Sequence, residues 1–384
     1  MTSASYSSAA AEPFEGLRIR GVAKTFGPDT AVLNEIDLDV HPGELISLVG
    51  SSGTGKSTLL RIIAGLEEPS AGRVTYAGQP LERGSVGVVF QRPILYPHLS
   101  VKDNILFPTR LGAFAGRVDM DYYRELLEAL KLEGLESRKP SQLSGGQAQR
   151  VGIARALIRR APVVLFDEPL ASVDEQMSAS IRADIVRLHE RYGFTGLYVT
   201  HDQNEALMLG QRVAVMDAGY LVQVDTPERL LAHPHTLQVA KLLAAPALNL
   251  LALEDSESLP AGCELAIRAT ALRPVAADAA HALPVQVLGS RHLVGGMLYR
   301  ARLLEAVSLP LESRRASADS ELSARMCARV RVGQELEFFI SDAQGATLSG
   351  TSPNSTFLSV GERVHLGVAA ERCFLFSGGK RFYL

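Results

Sequence analysis

The 384-residue sequence predicts a mixed α/β domain followed by an all-β one, and three observations carry that reading. The glycine-rich segment Gly50-Ser51-Ser52-Gly53-Thr54-Gly55-Lys56-Ser57 sits between the apolar run Leu45-Ile46-Ser47-Leu48-Val49 and a helical pattern ending near Gly65. Short β-branched runs at 45–49, 86–90, 163–166 and 197–200 alternate with helical patterns, as buried parallel strands do. From about Leu250 the pattern changes to short β-type runs at 265–267, 285–288, 336–340, 364–366 and 374–376, broken by Gly, Pro and Ser. That predicts a small all-β barrel or a pair of them.

The first eleven residues are small and polar, with no basic start or apolar core, so residues 1–14 are expected to be a disordered leader and not a signal peptide. Leu17 and Ile19, then Ile36, Leu38 and Val40, alternate as an antiparallel edge sheet would. The glycine-rich segment that follows is a P-loop in a strand–loop–helix setting. Its glycines let successive N–H groups point at phosphate oxygens, and the helix after it adds its positive end. Lys56 is suited to neutralise the β and γ phosphates and Ser57 to ligate Mg²⁺.

Between Gln91 and Leu143 the strand signals stop, and Tyr123, Leu126, Leu127 and Leu130 recur at helical spacing after Asp121. An inserted helical subdomain is expected there, leading into a second candidate anion loop, Leu143-Ser144-Gly145-Gly146-Gln147, before an amphipathic stretch over 148–160. Ser-Gly-Gly alone marks a surface turn. Here Ser144 is an N-cap type, and the glycines expose backbone N–H groups. One γ-phosphate does not need two cradles from one copy, and neither sequence repeats. A head-to-tail dimer uses both. Further on, 212–224 reads as a hairpin around Asp217-Ala218-Gly219, and Pro227 opens a short helix over 227–232. The most apolar stretch, 237–253, is interrupted by Gln238, Lys241, Pro246 and Asn249, so it is not expected to span a membrane.

At this length two domains are the natural expectation. A net charge of −3, from 39 basic and 42 acidic residues, gives no electrostatic case for nucleic acid as a partner. Cys263, Cys327 and Cys373 lack paired metal-ligand spacing and suit ordinary thiols in a reducing cytosol.

Together these segments resemble the ATPase subunits of ABC transporters, with five more matches in the family's order. Phe26 stands where the family stacks a ring on adenine, and Gln91 at the Q-loop. Val163-Val164-Leu165-Phe166-Asp167-Glu168-Pro169 is similar to the Walker B strand with its catalytic glutamate. Asp174 stands at the D-loop and His201 at the switch. The resemblance implies an α/β P-loop NTPase domain over 15–236, with the helical subdomain at about 92–160, a linker at 237–249, and an all-β OB-like regulatory and dimerisation domain over 250–384. ATP and Mg²⁺ are the implied cofactors, the metal held by Ser57, Gln91 and Asp167. The implied ATP contacts are Phe26, Gly50, Ser51, Ser52, Gly53, Thr54, Gly55, Lys56, Ser57 and Thr58, with Ser144, Gly145, Gly146, Gln147 and Asp174 across the dimer. Glu168, His201, Gln91 and Lys56 carry the implied catalysis, with Glu168 as general base. The sequence departs from the family at Ala171-Ser172-Val173-Asp174, where Asp174 is kept, and at Ala148, which leaves the phosphate-facing part of the loop intact.

The stretches Phe90-Gln91-Arg92-Pro93-Ile94-Leu95-Tyr96-Pro97-His98-Leu99-Ser100-Val101, Tyr198-Val199-Thr200-His201-Asp202-Gln203 and Ala245-Pro246-Ala247-Leu248-Asn249 resemble importers of the maltose, glycerol-phosphate and multiple-sugar type. The implied partners are transmembrane permease subunits, a solute-binding protein reached through the complex, and a second copy or a related ATPase. The implied location is the cytoplasmic face of the membrane. Iron, sulfate or polyamine import is the alternative within the family. A soluble ABC ATPase of DNA repair or translation, or a regulatory interaction protein, is the alternative outside transport.

Overall fold

The computed structural model describes residues 14–27, 30–111, 118–244, 247–254, 262–279, 282–293, 296–311, 326–341, 358–368 and 372–382. The expected leader lies outside them except for Phe14, as do Ala245 and Pro246. The chain divides into two compact units, Met1–Pro227 and Glu228–Leu384.

The first unit runs β1 (Leu17–Thr25), β2 (Ala31–Val40), β3 (Leu45–Val49), α1 (Lys56–Ile63), β4 (Ala71–Tyr76), β5 (Gln79–Pro80), β6 (Gly87–Val89), α2 (Val101–Leu106), α3 (Met120–Ala129) and α4 (Gly145–Leu157). It continues through β7 (Val163–Asp167), α5 (Glu175–Tyr192), β8 (Thr195–Thr200), α6 (Gln203–Leu209), β9 (Arg212–Asp217) and β10 (Tyr220–Asp225) to α7 (Pro227–Ala232), which crosses the division. The central sheet has the order β10-β9-β3-β8-β7-β6, parallel except for the β9–β10 hairpin. An antiparallel sheet, β2-β1-β4-β5, accompanies it.

Alternation along the parallel strands divides their side chains between two cores. Ile46, Leu48, Val163, Leu165, Leu197 and Val199 pack with α1 and the antiparallel sheet. Leu45, Val164, Phe166 and Tyr198 pack with α2 to α5. Burial on both faces explains why these strands read as unbroken apolar runs. The helix predicted over 148–160 starts three residues earlier and ends at Leu157. Ser144 Oγ accepts from the Gln147 amide at 3.3 Å and Gln147 Oε1 accepts from the Ser144 amide at 3.0 Å, so a reciprocal capping box draws both glycines into the first turn.

At the amino end of β3, Glu44 is 7% exposed and takes a two-pronged grip from Arg212, Nε to Oε1 at 2.6 Å and Nη2 to Oε2 at 2.9 Å. Removing one partner of such a pair strands a buried charge. Arg212→Ala is therefore expected to cost about 3 kcal/mol in urea unfolding. A change within error would show that water reaches Glu44.

The second unit contains α8 (Leu237–Leu242), β11 (Leu248–Ala252), β12 (Glu264–Arg268), β13 (Arg273–Val275), β14 (Leu283–Leu293), β15 (Gly296–Leu303), β16 (Val307–Leu311), β17 (Met326–Val330), β18 (Glu335–Ser341), β19 (Arg363–Gly367), β20 (Cys373–Ser377) and β21 (Lys380–Phe382). The sheets β11-β12-β20-β21 and β13-β19-β14-β15-β18 share one apolar core, with β16–β17 as a separate ribbon. Asn249 joins the two sheets. Its Nδ2 donates to the Ile267 carbonyl at 3.2 Å and the Glu337 carbonyl at 2.8 Å, and its Oδ1 accepts from the Glu337 amide at 2.6 Å. Residues 237–249, expected as a linker, hold α8 and the start of β11, and Ala240 packs on Ala266, Phe374 and Phe376. Among the described residues no helix is long and apolar enough to cross a membrane, and Cys263 is a buried free thiol.

Candidate active site

At the carboxyl end of β3 the chain must turn without side chains in the way. A Cβ on Gly50 would lie 2.5 Å from the Met216 carbonyl oxygen. Gly55, at φ 96°, precedes α1, and a Cβ there would sit 2.6 Å from Leu33 Cδ2 and 2.8 Å from the Val32 carbonyl. Thr54 Oγ1 ties the loop by donating to the Ser51 carbonyl at 2.9 Å. Lys56 is 5% exposed, and its Nζ donates to the carbonyls of Gly50 and Ser51 at 2.8 and 2.9 Å. Burial pulls the Lys56 ammonium below the usual lysine range, opposed by attraction from Glu168 and Asp167. This is a cation at the centre of a loop, held by weak neutral acceptors. A phosphate is the stronger acceptor.

β7 delivers Asp167, and Ser57 Oγ donates to its Oδ1 at 3.4 Å. Burial first, then repulsion from Glu168, lifts the Asp167 carboxyl above its ordinary range, against the Ser57 hydrogen bond, Arg61 and Lys56. A hydroxyl and a carboxylate so loosely joined, in a spot where negative charge lacks compensation, are hard oxygen donors that fit Mg²⁺. Glu168 follows with a left-handed backbone, φ 45°, its amide donating to the Val199 carbonyl at 2.9 Å. Such a conformation costs a non-glycine residue about 1–3 kcal/mol and clusters at functional sites. His201 Nδ1 lies 3.1 Å from Glu168 Oε2, with the His201 side chain 60% exposed.

These groups surround an open cleft of about 580 Å³ lined by Val32, Ser52, Gly53, Thr54, Gly55, Lys56, Ser57, Thr58, Glu168 and His201. Gly50 and Ser51 lie under it through their carbonyls, and Asp167 reaches it through Ser57. Phe26 is on the turn after β1, 46% exposed, with Lys24 Nζ 4.8 Å above its ring. Gln91 is exposed, follows β6, and accepts the Ser172 hydroxyl at 3.1 Å through its carbonyl. Ser144, Gly145, Gly146, Gln147 and Asp174 are not part of the cleft wall. Gly146 and Asp174 meet at Met177: a Cβ on Gly146 would sit 2.6 Å from Met177 Cγ, and the Met177 amide donates to Asp174 Oδ1 at 2.9 Å. Two residues escaped the sequence reading: Val32 on the wall and Arg61 acting on Asp167. Val32 is the half-buried second residue of β2, ahead of the alternation at Ile36, Leu38 and Val40.

The ABC transporter family matches residues 33–171 and the TOBE domain family matches residues 305–376. The chain is 40% identical over 329 residues to the sn-glycerol-3-phosphate import ATP-binding protein UgpC 1 of Rhizobium johnstonii, covering 76% of this chain and 89% of that protein. The chain belongs to the ABC transporter family of ATPases. The sn-glycerol-3-phosphate import ATP-binding protein UgpC of Yersinia enterocolitica is 45% identical over 243 residues, 62% of this chain and 67% of its own length. Among solved structures, cbiO1 of Clostridium perfringens, described as part of an ABC transporter complex, aligns with a TM-score of 0.52 at 27% identity, over 58% of this chain and 92% of that one. The P-loop residues Ser52 to Thr58 line the cleft. The all-β second unit carries the TOBE match, in line with the OB-like domain that the sequence predicts.

Proposed function

We propose that this ABC ATPase powers uptake of a sugar derivative, with sn-glycerol 3-phosphate as the leading candidate, by closing head-to-tail on a second ATPase subunit and reopening after hydrolysis. The observation that carries the dimer is the separation of two half-sites in one chain. Lys56, Ser57, Glu168 and His201 face one cleft, while Gly146 and Asp174 meet at Met177 and are not part of that cleft's wall. The relatives are sn-glycerol-3-phosphate import ATP-binding proteins, which supports the solute.

In this reading the first unit, up to Pro227, is the ATPase domain, and the second unit, with α8 and β11 packed into it, is the regulatory domain. Lys56 exchanges its two carbonyl partners for the β and γ phosphates. Glu168 takes the proton of the attacking water, and its hydrogen bond to His201 holds that carboxylate in place as negative charge accumulates. Mg²⁺, held by Ser57, Asp167 and Gln91, would supply charge neutralisation at the phosphates. Ser144, Gly145, Gly146 and Gln147 of the second copy close over the γ-phosphate with backbone N–H groups. Phe26, exposed at the end of β1, stacks on the base.

Tyr96, pinned by Asn104 through a 2.7 Å bond to its amide and packed against Phe107 with ring centroids 4.4 Å apart and planes tilted by 44°, belongs to the face offered to a permease subunit. That attachment places the chain at the cytoplasmic face of the membrane, with the solute-binding protein reached only through the complex. Reconstitution with permease subunits and a solute-binding protein is expected to give ATP turnover that rises several-fold with sn-glycerol 3-phosphate. Stimulation by iron, sulfate or a polyamine instead would overturn the solute assignment and leave the ATPase reading intact.

A further inference from the structure

One buried acid beside the cleft has no part in the phosphate chemistry. Glu205, on α6, is 7% exposed and takes three donors. The hydroxyls of Tyr198 and Thr200 donate to its Oε2 at 3.1 and 2.8 Å, and Arg182 Nη1 from α5 lies 3.5 Å from Oε1. Burial and the Glu205 carboxylate hold the Tyr198 hydroxyl well above the ordinary tyrosine range, so it stays a donor.

The same bonds continue into the neighbouring backbone. Thr200 Oγ1 accepts from the Asp202 amide at 3.0 Å, and Asp202 Oδ1 accepts from the amides of Asn204 and Glu205 at 2.7 and 3.1 Å. The result is a closed ring, from the Glu205 carboxylate to Thr200, on to the Asp202 amide, and back through the Asp202 side chain to the Glu205 amide. His201 is the residue enclosed by that ring. Its exposed imidazole has a hydrogen bond to Glu168, and one such contact leaves an exposed side chain mobile.

We propose that Glu205 is the positioning residue of the switch histidine, fixing the backbone on both sides of His201 and thereby the imidazole against Glu168. This rests on the reading of His201 given above. The other buried acids differ in where their bonds lead. Glu44 grips Arg212 at the amino edge of β3, and Asp184 on α5 pairs with Arg150 on α4 at 2.7 Å. Only Glu205, of these three, bonds to the residue preceding a cleft side chain. Arg182 adds a second consequence, because it lies on α5, the helix that Asp174 caps. A shift of that helix, driven from the dimer face, reaches His201 through one carboxylate.

The test is steady-state ATP turnover by the full chain. Thr200→Val keeps the shape and removes the hydroxyl that closes the ring, while Thr200→Ser restores it. Thr200→Val is expected to lower kcat about 10-fold with KM within about twofold, Thr200→Ser to recover it, and Glu205→Ala to lower kcat about 10- to 100-fold, as misplaced catalytic groups do. In a His201→Ala background neither change should cost anything more, because the group being positioned is gone. Losses that multiply in that background, or a Thr200→Val effect confined to melting temperature, overturn the proposal. If Glu205→Ala fails to fold, the Thr200 pair decides alone. Near-normal turnover in His201→Ala by itself sinks the reading of the site, and this proposal with it; a large His201→Ala defect with multiplying losses sinks this proposal only.

Discussion

Glu168→Gln is expected to slow ATP turnover by about 10²–10⁴-fold while nucleotide binding survives. The amide keeps the size of the side chain and its place beside His201, 3.1 Å from Nδ1, but it cannot accept a proton from water. The left-handed backbone at φ 45° belongs to the turn after β7 and does not depend on the charge. Binding rests on other groups, the P-loop amides and Lys56, so ATP affinity should stay within a few-fold. With hydrolysis blocked, the closed pair accumulates, and scattering or size exclusion of the variant with ATP and Mg²⁺ should report a dimer. Turnover near the wild-type rate would remove Glu168 from the role of base. A variant that binds ATP but stays monomeric would sink the head-to-tail reading.

How much of this was legible in the sequence follows from what each residue's role depends on. The P-loop, the Ser-Gly-Gly loop and the Asp167-Glu168 pair are local devices, whose chemistry is written in consecutive residues. The central strands were legible because burial on both faces leaves an apolar run. β4 was not, since the exposed Ala71, Gly72 and Arg73 hold their place by pairing with β1 and not by burial of their own. β15 hid for a different reason: Met297, Leu298 and Tyr299 are all buried in succession, so the period-2 signal fails where it begins. Val32 became part of the site through tertiary placement alone, its carbonyl closing the space where a Cβ on Gly55 would go. Glu205 is the extreme case. A lone acid in a helical stretch has no motif to announce it, and only the convergence of Tyr198, Thr200 and Arg182 gives it meaning.

Lys56→Met is expected to lower ATP affinity by about 10²-fold or more, the loss of at least one charge-assisted phosphate contact at about 1.5–3 kcal/mol each. Fold stability at neutral pH should hold or rise, by about 0.5–2 kcal/mol if it behaves as other relaxed functional sites do. The sign follows from linkage. Burial outweighs the attraction of Asp167 and Glu168, so the folded Lys56 pKa lies below its unfolded value and the protonated lysine opposes folding at pH 7. That penalty fades only as pH rises through the folded pKa toward the usual lysine range, so stability of the natural chain should gain on that of Lys56→Met in alkaline solution. Melting curves with and without ATP separate the two effects: the variant should match or exceed the natural chain in the absence of nucleotide and lose most of the upward shift that nucleotide gives. A variant that melts well below the natural chain at pH 7 would mean that the two carbonyl bonds of Lys56 hold the loop together. The loop would then be built by its lysine, and not strained to keep it.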